Sequence, residues 1–584
     1  MRFFRSVRRT SALWRSLSLF LVLTGFVGAM EVAAQSETPT ASQITPDTLQ
    51  PPLQRLNGSV VFTGRAGTQA PPGSESIGIT LSAVDLEGGL PQLAAENAAF
   101  EAQLTRGRIP VSELFDATAD LEAAYAREGF VLSRVVLPQQ RLRDGGRLRV
   151  VVVNGFIEEI DTSNVPENTR DRIDRLTEPL VGKPGLTREE LERQLLLAGD
   201  TPGTALKSAL GPGEAEGGAK ILLDPEFRPV TGFIGFGNPT DTELGEVSLN
   251  AGIEFNSPFR FGETIYLRAS GAPQQFFSDD PRSRILAGGV VVPLGFTGLT
   301  INAEYTNSRT TPDDPVVPTQ SQFDRASLRL SYPFRRSRQI NITGQVALDF
   351  QEDEQDFLGG GVEIPLFRDE LTILRLGGFV SYFHEDSAVS EGGLTLSRGL
   401  DIFGARTAQE AAASGVPLSR AGADATFTKL VGFFSHRRGL TDRLALSVAG
   451  RFQSSFGDVL ANSEQFSMIG ASELSTFDSG TLRGDSGWVV RSELSTQTSV
   501  NLGQTPLLLS PYVFAGIGQV TLEEPTALEQ SRTEGRAYGI GMDIFAQTNS
   551  SFRSSSVRIE LGRGERDDGT PDDTRFTISG NFRY

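Results

Sequence analysis

Arg575-Phe576-Thr577-Ile578-Ser579-Gly580-Asn581-Phe582-Arg583-Tyr584 closes the sequence, and its rhythm decides the fold. In an extended chain successive side chains point to opposite sides. Phe576, Ile578, Gly580, Phe582 and Tyr584 therefore share one face, and Arg575, Thr577, Ser579, Asn581 and Arg583 the other. The same period runs back to about residue 227. Val247, Leu249, Ala251 and Ile253 alternate with Ser248, Asn250, Gly252 and Glu254, and Ile340, Ile342, Val346 and Leu348 with Asn341, Thr343, Gln345 and Asp349. An apolar and a polar face in strand after strand suits a barrel wall between lipid and a wet lumen. A water-soluble sandwich gives similar alternation in any one strand, so length and context must decide. A terminal aromatic fits the girdles that such barrels carry at the membrane interface.

Composition narrows the options. The chain has 584 residues, no cysteine and two histidines, which removes disulfides, thiol catalysis and Cys/His zinc sites. Its net charge of −18, without a basic block, argues against nucleic acid as a partner. After the N-terminus no uncharged apolar run is long enough for a transmembrane helix, so a membrane-spanning form must be a barrel. Residues 1–34 read as a signal peptide: Arg2, Arg5, Arg8, Arg9 and Arg15 precede the apolar stretch 17–29, and Val32-Ala33-Ala34 offers a cleavage site. Arg8-Arg9 is a weak twin-arginine signal, and Sec export is expected because a barrel crosses the inner membrane unfolded. Residues 35–73, rich in Pro, Ser, Thr and Gln, read as a flexible linker.

Two small mixed units follow, at 74–154 and 155–225. In the first we expect a strand at 77–84, helices at 92–104 and from a Ser112 cap to 128, then strands at 130–137 and 147–153 joined through Asp144-Gly145-Gly146. The second repeats this order: a strand at 156–161, a helix at 168–180, and another opened by a Thr187/Glu190 capping box with a Leu186/Leu191 staple. Short strands at 205–209 and 219–224 complete it. The remainder, 226–584, divides into about sixteen strands. Short intervals (256–261, 294–297, 334–337, 386–391, 437–441) alternate with mostly long ones (273–282, 308–323, 351–370, 404–424, 453–485), as periplasmic turns and outer loops do in bacterial barrels.

The stretch Leu196-Leu197-Ala198-Gly199-Asp200-Thr201-Pro202-Gly203, with Leu210-Gly211-Pro212-Gly213 and Gly217-Gly218-Ala219, resembles the second POTRA (polypeptide-transport-associated) domain of two-partner secretion transporters, the ShlB/FhaC/HecB haemolysin secretion/activation family. Plain turn chemistry would also place Pro202, Gly203, Pro212 and Gly213 where they are. The resemblance spans the mature chain. It implies two periplasmic α+β POTRA domains of β-α-α-β-β order before an antiparallel transmembrane barrel in the outer membrane. It also implies a translocation pore that binds an unfolded exoprotein and secretes it by the type V route. The implied partners are that exoprotein (large, β-helical, encoded nearby), outer-membrane lipid, and the barrel-assembly machinery that inserts the pore. No cofactor, metal or catalytic residue is implied. No Walker loop is present, so no nucleotide drives transport, and no Gly-x-Ser-x-Gly elbow precedes the barrel. A barrel-assembly factor and a passive porin are the alternatives.

In the resembled family a loop between strands eleven and twelve folds into the lumen. An Arg in its Val-Arg-Gly-Tyr/Phe tip pairs with an Asp of a Phe-x-Asp-x-Gly motif on strand thirteen. Aligned on Gly480, Gly484, Asp485 and Gly487, the tip here is Leu474-Ser475-Thr476-Phe477, and the strand motif falls on Phe514, Gly516 and Gly518. Ser475 then stands in the Arg position and Gly516 in the Asp position, so both charges are absent together. This is coherent, because one buried charge without its partner is costly. A second register puts Leu482-Arg483-Gly484-Asp485 at the tip, with Arg483 as the surviving cation. The acidic runs 352–356 and 565–573 read as solvated charge in outer loops, with calcium as the alternative.

Overall fold

The computed structural model describes residues 38–52, 70–359, 363–503, 505–527, 529–548 and 550–584. The signal-peptide reading lies outside them. The described chain starts with a segment holding one short helix, α1 (Ala41–Ile44).

The first mixed unit consists of β1 (Gly78–Glu87), α2 (Ala94–Thr105), β2 (Arg108–Pro110), α3 (Val111–Arg127), β3 (Arg134–Val136) and β4 (Gly146–Val153). Its sheet has the order β2-β1-β4-β3. Leu93, Phe100, Leu104, Leu114, Leu121, Tyr125, Leu148 and Val150 belong to its core. Two expectations need correction. Ser112 is no cap: Pro110 is the N-cap and makes no side-chain cap bond, while Val111 N–H donates to Ile77 O at 2.8 Å. The strand at 130–137 shrinks to β3, whose Val135 N–H is taken by the Glu122 carboxylate (3.0 Å).

The second unit is β5 (Phe156–Asp161), α4 (Glu167–Thr177), α5 (Arg188–Gly199), β6 (Thr204–Pro212) and β7 (Gly218–Phe227), with sheet order β5-β7-β6. The Thr187/Glu190 capping box forms, and Leu186 and Leu191 are both buried beside it. Both units thus run β-α-α-β-β, the first with an added edge strand.

Sixteen antiparallel strands then close into a barrel. They begin with β8 (Val230–Gly237), β9 (Ser248–Asn256), β10 (Thr264–Gly271), β11 (Ser283–Pro293) and β12 (Thr300–Thr310). The longer β13 (Thr319–Arg336), β14 (Ile340–Phe357) and β15 (Ile364–Phe383) follow, then β16 (Val389–Leu400). A loop bearing α6 (Ala408–Ser414) leads to β17 (Thr428–Gly439) and β18 (Leu444–Ser454). The 455–485 loop carries a small ladder of β19 (Phe466–Ser467) and β20 (Arg483–Gly484). Next, β21 (Ser486–Thr496) and β22 (Thr498–Leu502) are two halves of one strand, since both pair with β23 (Thr505–Thr521). After β24 (Arg532–Ala546) and β25 (Ser554–Arg566), β26 (Asp573–Arg583) pairs with β8 and completes the ring.

Burial settles barrel against sandwich. Leu267, Leu376, Leu394, Ile540 and Leu561 are exposed, whereas Arg268, Glu304, Arg329, Asp353, Arg491 and Glu560 are buried. A sandwich hides its apolar set. Here charge is inside and hydrocarbon outside, as lipid on the outer face demands. Among the described residues no helix is long and apolar enough to cross a membrane. Phe576, Phe582 and Tyr584 are on the exposed face of β26, and Ile578 is half-buried between them.

The loop at 351–370 expected from sequence is mostly strand. β14 and β15 stay paired out to Phe357 and Ile364, with Glu352 ion-paired to Arg368, so the 352–356 run is ladder rather than solvated loop. In the same way Glu565 and Arg566 end β25 and Asp573 begins β26, leaving 567–572 between them. Among the described residues no group of three or more acidic or histidine side chains could hold a metal ion.

Candidate functional site in the barrel lumen

Two inserts occupy the lumen. The first is the N-terminal segment, which corrects the linker reading over residues 38–52. Ala41 N–H donates to Ser321 Oγ (3.2 Å), Ser308 Oγ to Ala41 O (3.3 Å), and Ser42 Oγ to Asp353 Oδ2 (2.6 Å). Further along, Arg325 reaches Pro46 O (2.8 Å), Arg329 reaches Asp47 O (3.1 Å), and Leu49 N–H donates to Glu304 (3.1 Å). The segment, α1 and the irregular chain after it, satisfies a charged wall largely through its backbone.

The second insert is the 455–485 loop, which is fastened at three places. In its first half, buried Glu464 pairs with Arg375 and Lys429, each at 2.7 Å. At its last residue, Asp485 is fully buried. It accepts from Leu460 N–H (2.9 Å), Glu523 N–H (2.7 Å) and the Arg420 guanidinium, drawing three outer loops together. Arg483 lies in the β19–β20 ladder opposite Ser467, away from the tip.

At the tip, Leu474 is buried in a seat of glycines. A Cβ placed on Gly516 would lie 3.0 Å from Leu474 Cδ2, and one on Gly535 3.1 Å from Leu474 Cδ1. Gly562 would meet Thr476 at 2.7 Å, Gly564 would meet Phe477 at 2.8 Å, and Gly518 would meet Met468 at 2.9 Å. Gly487 faces Phe466, Gly484 lies against the Thr521 backbone, and Gly480, at φ +85°, takes Pro39 of the first insert against it. The two inserts therefore touch. The space opposite the tip is filled by hydrocarbon.

The charge near the tip belongs to the wall. Arg491 of β21 is fully buried, and its guanidinium carbon lies 3.9 Å from the centre of the Phe514 ring. It pairs with Glu560 of β25 (2.5 Å), which also accepts from Tyr512 OH (2.6 Å). The loop joins this pair as a neutral guest. Arg491 donates to Ser475 Oγ (2.8 Å) and Glu473 O (3.1 Å), and Ser475 donates to Glu560. Sequence reasoning had searched only the motif positions and so missed Arg491 and Glu560. The available signal is charge repeated on one face of a strand: Arg491 with Glu493 on β21, and Arg558 with Glu560 on β25.

The second unit's motif residues shape its exit. Gly203, at φ +68°, has no room for a side chain against Arg228 O and Asn256, and Arg228 N–H donates to Gly203 O (2.8 Å) where the first barrel strand begins. The turn after Pro212 folds around Glu158, which accepts from Glu214 N–H (2.8 Å) and Ala215 N–H (3.0 Å), with Gly213 closing on Gly218 O at 2.8 Å. Leu210 packs against the unit's core.

A lipid-facing barrel, entered from two soluble α+β units and holding its own chain in a charged lumen, defines an outer-membrane transporter. The sequence profile of the haemolysin secretion/activation protein ShlB/FhaC/HecB matches residues 219–542, and the chain belongs to that family of two-partner secretion transporters. The profile of the ShlB-type POTRA domain matches residues 79–155. It thus falls on the first unit, and the second lies mostly between the two matches. The outer membrane transporter CdiB of Escherichia coli is 24% identical over 455 residues, 75% of this chain and 73% of that one. The solved structure of CdiB from Escherichia coli superposes with a TM-score of 0.67 at 21% identity over 94% of each chain. BamA from Haemophilus ducreyi lacking POTRA domains 1–3 gives 0.50 at 12% identity, over 87% of this chain and all of that one.

Proposed function

We propose that both α+β units act as POTRA domains that capture an unfolded exoprotein in the periplasm and pass it into the barrel, where it replaces the chain's own inserts. The observation carrying this reading is that a stretch of polypeptide already lies in the lumen, held through the Pro46 and Asp47 carbonyls. Strand addition is the capture mode best supported, because it reads backbone and tolerates sequence. The edges differ in fitness for it. Glu122 occupies β3, Gly182 N–H bonds Ile157 O on β5, β2 has three residues, and β6, with nine, is the longest edge. Transport is non-enzymatic and needs no nucleotide: folding of the emerging chain outside the cell prevents return. The exoprotein is large and β-helical and is encoded nearby. Lipid surrounds the barrel, the assembly machinery inserts it, and nucleic acid plays no part.

Co-expression with the exoprotein encoded nearby tests the reading. Deleting 77–224 should abolish secretion while the barrel still assembles, and secretion that persists without these residues would refute capture by them. The fold likeness to BamA favours barrel assembly as the second reading. In that case depletion would halt growth and lower outer-membrane protein levels, whereas a transporter's loss leaves both unchanged.

A further inference from the structure

The two inserts share a charge character. Residues 38–52 and 455–485 contain six acidic side chains, Asp47, Asp458, Glu464, Glu473, Asp478 and Asp485, and one basic side chain, Arg483. The wall facing them carries cations, and several of these take an oxygen from an insert. Arg375 and Lys429 meet the Glu464 carboxylate, Arg451 meets Glu473 (2.8 Å), and Arg575 meets Asp478. Arg325 and Arg329 meet the backbone carbonyls of the N-terminal segment.

Dependence on the inserts is uneven. Some wall cations also have wall acids: Asp349 holds Arg375 (2.6 Å) and Asp543 holds Arg558 (2.7 Å). Among the described residues, every polar partner of Lys429 and Arg451 lies in the loop, namely Glu464 for the first and Glu473 with Ser467 O (2.6 Å) for the second. If the loop withdraws, these two cations lose all of those contacts together. A confined charge without a partner is strongly unfavourable, so the wall selects a replacement of the same chemistry.

We propose that the wall behind the two inserts is a cationic track for acidic, extended polypeptide, masked in this conformation by the chain's own carboxylates and carbonyls. This rests on reading the chain as a translocation pore. A transiting segment supplies carboxylates to Lys429, Arg451 and Arg575 and main-chain carbonyls to Arg325 and Arg329. The inserts are thus self-ligands that mimic the cargo, and cargo enters by exchange.

The test uses the purified full-length protein in planar lipid bilayers, with oligoglutamate, oligolysine and a neutral Gly-Ser peptide of equal length added from the periplasmic side. Oligoglutamate should interrupt the current at a concentration about tenfold below that needed for oligolysine, given how strongly a confined single-sign field concentrates its counter-charge. The Glu473→Gln/Asp478→Asn variant, which unmasks the track without touching the wall, should move selectivity toward chloride over potassium. Lys429→Gln/Arg451→Gln should erase the peptide preference. Heat-modifiable gel migration reports whether each variant is folded; should the wall variant fail to fold, the peptide comparison on the unmodified chain still decides. Equal block by all three peptides, or stronger block by oligolysine, overturns the proposal and leaves the pore reading standing. A protein that conducts in no variant overturns both.

Discussion

Arg491 shows how a lumen keeps a loop in place without the loop carrying the charge. Its guanidinium has two acid partners, Glu560 and Glu493 (2.8 Å), an aromatic face and two loop oxygens, so removing any one is felt by the others. Glu560→Gln should cost about 2–3 kcal/mol, because it removes charge-assisted bonds from a buried cation that Glu493 still holds. Ser475→Ala removes only a neutral guest and should cost about 1 kcal/mol. Urea midpoints of the folded barrel, followed by heat-modifiable migration, distinguish the two. Ser475→Arg places a cation beside Arg491, and Gly516→Asp drives into Leu474. Each should displace the tip and raise bilayer conductance, and conductance equal to the unmodified chain would exclude the seat. That Ser475 and Gly516 are uncharged is visible in a string of letters. The same string could not disclose that Leu474 packs against Gly516, because that depends on β23, β24 and β25 bringing their glycines to one spot.

Among the elements, those with local signals were legible. The Thr187/Glu190 box, the Leu186/Leu191 staple and the two-residue period of the barrel are written within a few residues of one another, and each formed. Thr187→Ala should weaken α5 by about 1 kcal/mol, measured as a drop in the urea midpoint of the second unit. Misreadings arose where a distant partner decided. β14 and β15 overrun their expected ends although Glu352–Glu370 and Asp353–Asp369 set like charges opposite each other; Arg368, opposite Glu354, offsets this by pairing with both Glu352 and Glu370. Residues 38–52 look like linker because their partners lie hundreds of residues away. In the first unit, Arg147 and Arg149 of β4 hold the Asp85 and Glu87 carboxyls of β1 below their usual range, chiefly through side-chain hydrogen bonds. A carboxylate depressed in the folded state adds stability above its unfolded value and loses it as pH falls through the folded one. A fragment spanning 70–155, which has its own core, should therefore lose urea resistance below about pH 4, with the loss reduced in Asp85→Asn/Glu87→Gln.

At the scale of the whole molecule, the second unit is latched to the barrel's periplasmic rim. Arg336 makes two bonds to Asp200 (2.7 and 2.9 Å), and Arg193 donates to Pro333 O and Thr297 O, each at 3.1 Å. Arg172 reaches Gly295 O (3.2 Å), and burial there pushes its guanidinium down to about 10. Asp200→Ala should free the unit to swing. The chain has no cysteine, so spin labels at two introduced cysteines, one in α4 and one in a periplasmic turn, should report a broadened distance distribution. The order of units, the barrel and the approximate strand count were legible because they follow from periodicity summed over hundreds of residues. The latch was not, because each of its bonds joins residues more than a hundred positions apart.

The ring is not equally strong all round. β25 and β26 share eleven paired positions, from Ser554–Arg583 to Gly564–Asp573, whereas β26 and β8 share five, from Ser579–Gly237 to Arg583–Phe233. A zipper with so few teeth parts first under load. Amide protons along that join should exchange with solvent sooner than those of any neighbouring row, and a cylinder obliged to widen for bulky cargo has its expansion gap built in where the two ends of the sheet meet.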